Sequence, residues 1–477
     1  MNINLMWFRR DLRIHDNKAL YYACQDTHAR VIAIFVYTPG QWLLHNQSPK
    51  QTLYIYKNLI FLKKKLLKLK IPLFFLKSTD FLDSVKKILN FCCIHKVKNL
   101  YYNYEYGCNE KTRDNSVQRL CIKNNIVVHG FYDNVLISPE KIKNHLNQAY
   151  KRYQCFKKKI INTVNLHRII CYPKPKPRIF FFQNLKTEIP IFTCPQEKFN
   201  ESIFLVGEDN VFLQLEKFCN KYYKQHLYKS KSRNYQINSF LSSALNIGVI
   251  SVRKCVLMFL KKNIFIKTLE DINANAWINE ILWREFFYHL MYSYPELSQY
   301  KTLSLIDKRI PWKKNKFLFT LWKNGNTGYP IIDAAMRQLN ELGWISNRLR
   351  MISGSFLAKI FFLNWRLGER YFMSRLVDGN LAINNGCWQW VASVGTEKMP
   401  YFRKFNFLTQ SKKIDPLGVL IRKMIPELRY TPNKHVHFPY LQKCHNRFAV
   451  NFLHHIDQFY NKTIKIFSQI YSDIKHE

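Results

Sequence analysis

The chain has 477 residues and a formal net charge of +42, from 74 Lys and Arg against 32 Asp and Glu. Hydrophobic residues make up 47% and aromatic residues 16%, which excludes disorder, because that many large side chains have ample surface to bury. No run of about 18 consecutive apolar residues occurs, which excludes a membrane helix, and the early Arg9, Arg10 and Asp11 leave no room for a secretory leader.

A cytoplasmic protein of two or three domains is therefore expected. Its 12 cysteines form no Cys-x-x-Cys pair, so reduced core thiols are expected and a zinc or dithiol site is not. The charge excess suits a polyanion such as nucleic acid. Lys outnumbers Arg 51 to 23, as drift in an AT-rich genome would also produce, so charge alone leaves the partner open.

Residues 1–130 alternate short apolar runs with helix-length amphipathic segments. The runs at 3–8, 31–37, 72–76, 99–103 and 126–129 are the expected strands, with helices expected at 51–68 and 80–92. Such alternation predicts a Rossmann-like, doubly wound parallel sheet. The Gly-rich phosphate turn is missing after the first strand, where Trp7-Phe8-Arg9-Arg10-Asp11 stands. Residues 131–205 show no clear period and hold five of the 17 prolines between 173 and 195. A fixed φ and a missing donor oppose regular structure, so a long interdomain connection is expected there. From 206 to 477 apolar residues recur at spacings of three and four, as in 278–290 and 334–342, which predicts an all-helical domain.

Eight of the ten tryptophans lie between Trp277 and Trp390, and seven of the 23 arginines between Arg337 and Arg403. Arg forks suit phosphates and aromatic faces stack planar rings, although an aromatic core with solvated Arg has the same composition. On a helix, Glu280, Trp283 and Arg284 share one face at i, i+3 and i+4. They read either as a surface ion pair beside a core ring or as a carboxyl and an aromatic face that receive a nucleobase.

Longer motifs decide between these readings. The segments Trp7-Phe8-Arg9-Arg10-Asp11-Leu12-Arg13-Ile14-His15-Asp16-Asn17, Gly328-Tyr329-Pro330-Ile331-Ile332-Asp333, Asn347-Arg348-Leu349-Arg350-Met351 and Asn384-Asn385-Gly386-Cys387-Trp388-Gln389-Trp390 resemble, in order, the DNA photolyase/cryptochrome family. The resemblance is strongest to bacterial class I photolyases of cyclobutane pyrimidine dimers that carry a folate antenna. It implies an α/β antenna-binding domain at 1–130, a connection at 131–205, and a helical domain at 206–477 that binds FAD and UV-damaged DNA. The implied cofactors are FAD, active as the reduced anion, and 5,10-methenyltetrahydrofolate. No metal and no protein partner are implied, and a monomer is expected.

The resemblance also implies roles. Glu280, Trp283, Asn384 and Trp390 would act on a dimer that must leave the base stack to be reached, with Glu280 steadying the charge that develops on it. Trp388, Trp365 and Trp312, in order outward, would carry electrons to the flavin. His226, Asn238, Ser239, Phe240, Leu241, Ser242, Trp277, Asn347, Arg350, Asp378, Gly379, Asn380 and Asn384 would bind FAD, with Arg350 able to pair with Asp378. DNA would meet Glu280, Ile281, Leu282, Trp283, Arg284, Glu285, Phe286 and Phe287, together with Asn347, Arg348, Met351, Arg403 and Gln410. His45, Asn109 and Glu110 would hold the antenna.

Three departures stand out. Asn380 replaces the second Asp of the family's Asp-Gly-Asp, and Asn238 replaces a Thr in its phosphate-binding segment. In an ungapped reading His226 and Ser230 stand at a Tyr and an Arg upstream, where Tyr223 or Tyr228 could substitute only with a local shift. They bear on the diphosphate grip and leave the dimer residues as in the family. The main alternative is a cryptochrome-type photoreceptor without repair activity, against which Asn384, Glu280 and Trp283 speak. A flavin-free basic nucleic-acid binder is a second alternative.

Overall fold

A computed structural model of the chain describes residues 2–166, 169–179, 187–192, 197–227, 238–396 and 405–439. The chain forms two compact units. The first comprises Met1–Ser230, Ile237–Gln299 and Asp378–Ala382, the second Lys231–Gln236, Tyr300–Val377 and Ile383–Glu477.

The first unit is built on strands β1 (Ile3–Phe8), β2 (Arg30–Tyr37), β3 (Leu73–Lys77), β4 (Asn99–Asn103) and β5 (Val127–Phe131). Their order is β3-β2-β1-β4-β5, and every pair is parallel. Each expected strand is present, with ends displaced by at most two residues. Leu5, Met6, Trp7 and Phe8 of β1 are all buried, the continuous apolar run that a sheet covered on both faces requires. Helices start where the chain supplies caps. Ser48 accepts from the Gln51 amide to open Pro49–Lys68, and Asp80 accepts from the Asp83 amide to open Phe81–Ile94.

The strand order reverses at β1, the place where open sheets of this type hold a dinucleotide just outside the strand ends. Here side chains occupy it. Arg9 lies 4.7 Å from the ring centres of both Trp7 and Tyr102. It donates to Asp114 at 2.7 Å and to the Asn103 carbonyl. Asn103, ending β4, donates to Asp11 at 2.6 Å and to Asn17 at 2.9 Å. A buried polar network takes the space of a Gly-rich turn, which is why that fingerprint is missing.

Helices Glu208–Leu227, Ser242–Ile247, Val252–Lys262, Leu269–Ala274 and Ala276–Ser293 belong to this same unit. Buried charges tie them to the loops above the sheet. Arg253 pairs with Asp16 at 3.0 Å and with Asp133 at 2.7 Å, and Glu208 accepts from the His15 amide at 2.9 Å. The stretch 131–205, expected to lack regular structure, contains the helix Tyr153–Thr163. Its buried Tyr153, Phe156, Ile160 and Ile161 follow the helical spacing i, i+3, i+7, i+8, set among lysines that dilute the pattern.

The second unit is helical, with Ile306–Arg309, Lys316–Asn324, Pro330–Leu342, Asn347–Ser355, Trp365–Arg375, most of Leu381–Val391, Phe407–Ile414 and Val419–Met424. Gly325 and Gly343 end two of these helices at φ 67° and 71°, the left-handed region that a Cβ disfavours. Trp322, Trp365 and Trp388 lie in its core, and Trp312, Met351 and Trp390 pack at the rim. Among the described residues no helix is long and apolar enough to cross a membrane, and no His, Cys, Asp and Glu group is placed to hold a metal.

Candidate functional site

Helix Ala276–Ser293 opens on Asn275, whose side chain accepts from the Ile278 amide. On it Glu280 is exposed and Trp283 half-buried, one turn apart. Tyr153 stacks on Trp283 with 3.7 Å between ring centres and 10° between planes, and its hydroxyl donates to the Asn279 carbonyl at 3.3 Å. The rest of the segment turns inward. Ile281, Leu282, Phe286 and Phe287 are buried. Arg284 donates to the Asn134 carbonyl at 2.8 Å and to Glu285 at 3.0 Å, while Glu285 accepts from the Leu136 amide at 2.7 Å. Burial, working against Arg284, pushes the Glu285 carboxyl up to about 7. The expected DNA-facing run 280–287 therefore narrows to Glu280 and Trp283, because this helix is apolar on nearly every side and buries the remainder.

Of the expected flavin residues in this unit, Trp277 is buried 4.4 Å from the Phe259 ring and 5.3 Å from that of Phe218. Ser239 accepts from the Leu241 amide at 3.4 Å through its hydroxyl and from Gln214 at 2.9 Å through its carbonyl. Phe240 between them adopts φ 52°, a strained backbone held by its surroundings. Ser242 opens Ser242–Ile247, and Asn238 is exposed. The side chain of His226 and all of Arg403 lie outside the described residues. Asp378 is buried. The Gly379 carbonyl accepts from Gln51 and Asn246, both at 2.8 Å, and Asn380 donates to Asn246 at 2.9 Å and to the Tyr288 hydroxyl at 2.8 Å.

In the second unit Asn384 donates Nδ2 to the Glu369 carbonyl at 2.9 Å, and Asn385 donates to Glu369 Oε1 at 3.0 Å. Gln389 donates to Asn385 at 2.6 Å. Oε2 of Glu369 is buried with no hydrogen-bond partner. Burial pushes this carboxyl up to about 8, against Asn385, Arg366 and Arg370. With Nδ2 of Asn384 donating to the Glu369 carbonyl, its Oδ1 is left as a neutral acceptor for an N–H. Reduced flavin carries N–H groups on its ring, so this donor and acceptor set fits FAD.

Trp388 packs 5.1 Å from the Phe372 ring and 6.1 Å from that of Trp322. Gly368 makes the room, since a Cβ there would stand 2.1 Å from the Trp388 ring. Trp388 and Trp365 are buried, whereas Trp312 is half-buried. Arg348 donates to Gln410 at 3.0 and 2.6 Å and lies 4.8 Å from the Phe405 ring, which joins two expected DNA residues. Asn347 is exposed, Met351 and Trp390 are half-buried, and Arg350 donates to the Ile345 carbonyl at 3.0 Å.

The expected antenna residues meet in the first unit. His45 follows helix Pro39–Leu44, and Asn109, half-buried, and Glu110 lie in the first turn of Cys108–Lys123. His45 Nε2 stands 3.0 Å from Glu110 Oε1 and 2.8 Å from the Gln41 amide nitrogen. Burial raises the Glu110 carboxyl, but His45 and then Arg113 outweigh it and hold it at about 2. Its Oε2 is buried without a partner, and a Cβ at Gly107 would lie 2.1 Å from that oxygen. Sequence reasoning missed Gly107, Tyr153 and Glu369. Only the glycine just before a first-turn Glu carried a usable signal.

Comparison with known proteins points the same way. Residues 277–469 match the FAD binding domain of DNA photolyase, and residues 4–178 match DNA photolyase. The chain is 45% identical over 471 residues to the deoxyribodipyrimidine photo-lyase of Buchnera aphidicola subsp. Baizongia pistaciae, with 98% of each chain covered. It is 40% identical over 440 residues to that of Escherichia coli K12, with 92% of each covered. The crystal structure of a Synechocystis sp. cryptochrome has a TM-score of 0.84 at 26% identity, covering 98% of this chain and 99% of that one. A parallel five-stranded sheet, a helical region with the FAD-binding domain and these near full-length relatives together make the chain a member of the DNA photolyase family.

Proposed function

We propose that this protein repairs cyclobutane pyrimidine dimers in UV-damaged DNA, driven by light. The 45% identity to a deoxyribodipyrimidine photo-lyase over 98% of both chains carries the reading, and the Asn384 amide, oriented for an N–H, supports it. Bound FAD in its reduced form supplies, on absorbing light, the electron that splits the two ring bonds of the dimer, and regains it afterwards.

The remaining tasks fall to the chain. The dimer leaves the stack at a cost of a few kcal/mol, and Trp283 and Trp390 offer it apolar ring faces. Glu280 hydrogen-bonds its polar edge, and Asn347 and Met351 line the slot. Arg348, Gln410 and Arg403 grip the backbone, where phosphate contacts supply most of the affinity and fade with salt. Asp378, Gly379, Asn380 and Asn384 hold the flavin ring, and Trp277, Arg350, Asn238–Ser242 and His226 the rest of FAD. Trp388, Trp365 and Trp312 relay electrons inward to return an oxidised flavin to service.

The antenna read here is 5,10-methenyltetrahydrofolate. The unpartnered, ionised Oε2 of Glu110 suits the adjacent N–H donors of a pterin edge, with His45 and Asn109 beside it. By role, residues 1–130 form the antenna-binding domain, 131–205 a connection and 206–477 the catalytic domain of a cytoplasmic monomer. A photoreceptor without repair activity is the second reading, favoured by the fold shared with a cryptochrome. Illumination of the FAD-loaded, reduced protein with a thymine-dimer oligonucleotide separates them. Restored thymines are expected, and an intact lesion would leave the photoreceptor.

A further inference from the structure

One carboxylate touches two of the three indoles on the electron path. Asp307, in the short helix Ile306–Arg309, is 6% exposed. Its Oδ1 accepts Nε1–H of Trp365 at 2.9 Å and Nε1–H of Trp312 at 3.4 Å. Its Oδ2 accepts from Arg366 at 2.6 Å, and Arg366 also donates to the Tyr300 carbonyl at 2.7 Å. A neutral indole needs only a neutral acceptor, such as the Ser353 carbonyl that serves Trp322 at 3.0 Å. An ion pair buried to satisfy two N–H groups is more charge than structure alone requires.

We infer that Asp307 is a positioning residue that draws a positive hole outward from Trp388 and holds it on the Trp365–Trp312 pair. This rests on reading Trp388, Trp365 and Trp312 as the electron path. Trp388 gives one electron to the photoexcited, oxidised flavin and is left a radical cation. One electron from Trp365 then refills Trp388, and one from Trp312 refills Trp365. Each transfer moves one electron inward and one positive charge outward, and no bond forms or breaks. A thiol or similar reductant in solution restores Trp312, which is half-buried rather than enclosed.

The driving force follows from the geometry. The N–H of an oxidised indole is far more positive than that of a neutral one, so a carboxylate beside it lowers the energy of the hole. Trp388 is packed by Phe372, Trp322 and Gly368, so the hole is less stable there. The Arg366 guanidinium, 4.5 Å from the Trp365 ring centre, opposes a hole on that ring and tilts the shared pair towards Trp312. Screening by solvent is weak because Trp365 and Asp307 are both buried.

The test compares Asp307→Asn, Asp307→Glu and the parent, each loaded with FAD. It reads the quantum yield of flavin photoreduction and the lifetime of the tryptophan radical after a laser flash. Asp307→Asn keeps an oxygen for both indoles and removes the charge. Its yield should fall by at least about threefold and its radical should decay sooner, with Asp307→Glu intermediate. A second readout needs no flavin: the indole N–H resonances of Trp365 and Trp312 in 15N-labelled protein should move upfield in Asp307→Asn. Unchanged yield and lifetime at equal FAD content overturn the inference. If the Asn variant does not fold, Asp307→Ser takes its place, and unchanged yield and lifetime there overturn the inference. Trp388→Phe is the reference. If it loses photoreduction while Asp307→Asn does not, the role of Asp307 alone falls, and if it still photoreduces, the path falls and the inference with it.

Discussion

Asn384 donates its amide to the backbone carbonyl of Glu369 at 2.9 Å, while the Glu369 side chain accepts from the neighbouring Asn385 at 3.0 Å. One buried residue thus orients two consecutive asparagines of helix Leu381–Val391. The Glu369 carboxyl is raised by burial from 4.5 to about 8. The folded chain keeps this proton where the unfolded chain loses it, so stability falls as pH rises from 4.5 to about 8, by up to ~1.4 kcal/mol per unit. Glu369→Gln accepts the same bond without titrating. Its melting temperature should exceed the parent's at pH 7.5 and approach it at pH 5, as thermal scans at both values check.

Gly368 determines how closely Trp388 packs. An alanine Cβ would stand 2.1 Å from the Trp388 ring and 2.6 Å from Leu357. Gly368→Ala should cost about 1–3 kcal/mol, the usual penalty of overpacking, and slow photoreduction by displacing the ring. Denaturant titration and flavin bleaching under blue light measure the two effects. Trp388→Phe should abolish photoreduction outright while a chemically reduced sample still repairs.

Glu110 and Gly107 make the antenna prediction. Glu110→Gln replaces an ionised acceptor with a half-donor, and Gly107→Ala pushes a methyl into Oε2. Each should weaken folate binding about tenfold or more, the worth of a charge-assisted hydrogen bond. Repair excited through the flavin alone should continue. A folate titration followed by absorbance, with repair measured in parallel, tests both statements.

Glu280 is exposed on its helix, so Glu280→Ala should leave the fold intact. The repair yield per photon should fall more than DNA affinity does, because phosphates supply most of that affinity. Equal losses in a binding titration and a photon-counted repair assay would make Glu280 an ordinary binding residue.

Lesion choice follows from Asn347-Arg348-Leu349-Arg350-Met351, which holds no group that titrates near neutral pH. Repair of a (6-4) photoproduct needs an acid to move a proton, whereas a cyclobutane dimer needs only an electron. Parallel assays should restore the cyclobutane oligonucleotide and leave the (6-4) one unrepaired. Preferential repair of the latter would sink the assignment.

All five strands were legible in the sequence, because strand and helix periods are local properties of a few consecutive residues. Family resemblance grouped His45 with Glu110 and Arg348 with Gln410 by expected role, but that each pair is hydrogen-bonded came only from the structure. Tyr153 and its helix were not legible, since their four apolar positions are spread among lysines. Arg284 reads as a surface charge in the sequence, and only the packed helix turns it to the Asn134 carbonyl. Asp307 lies 58 residues from Trp365, and no local pattern announces an acceptor for a distant indole. Periodicity therefore determined the strands, and long motifs shared with relatives determined the family. Burial and hydrogen-bond direction, which depend on what the rest of the chain places alongside, decided which charges serve the core and which can serve the chemistry.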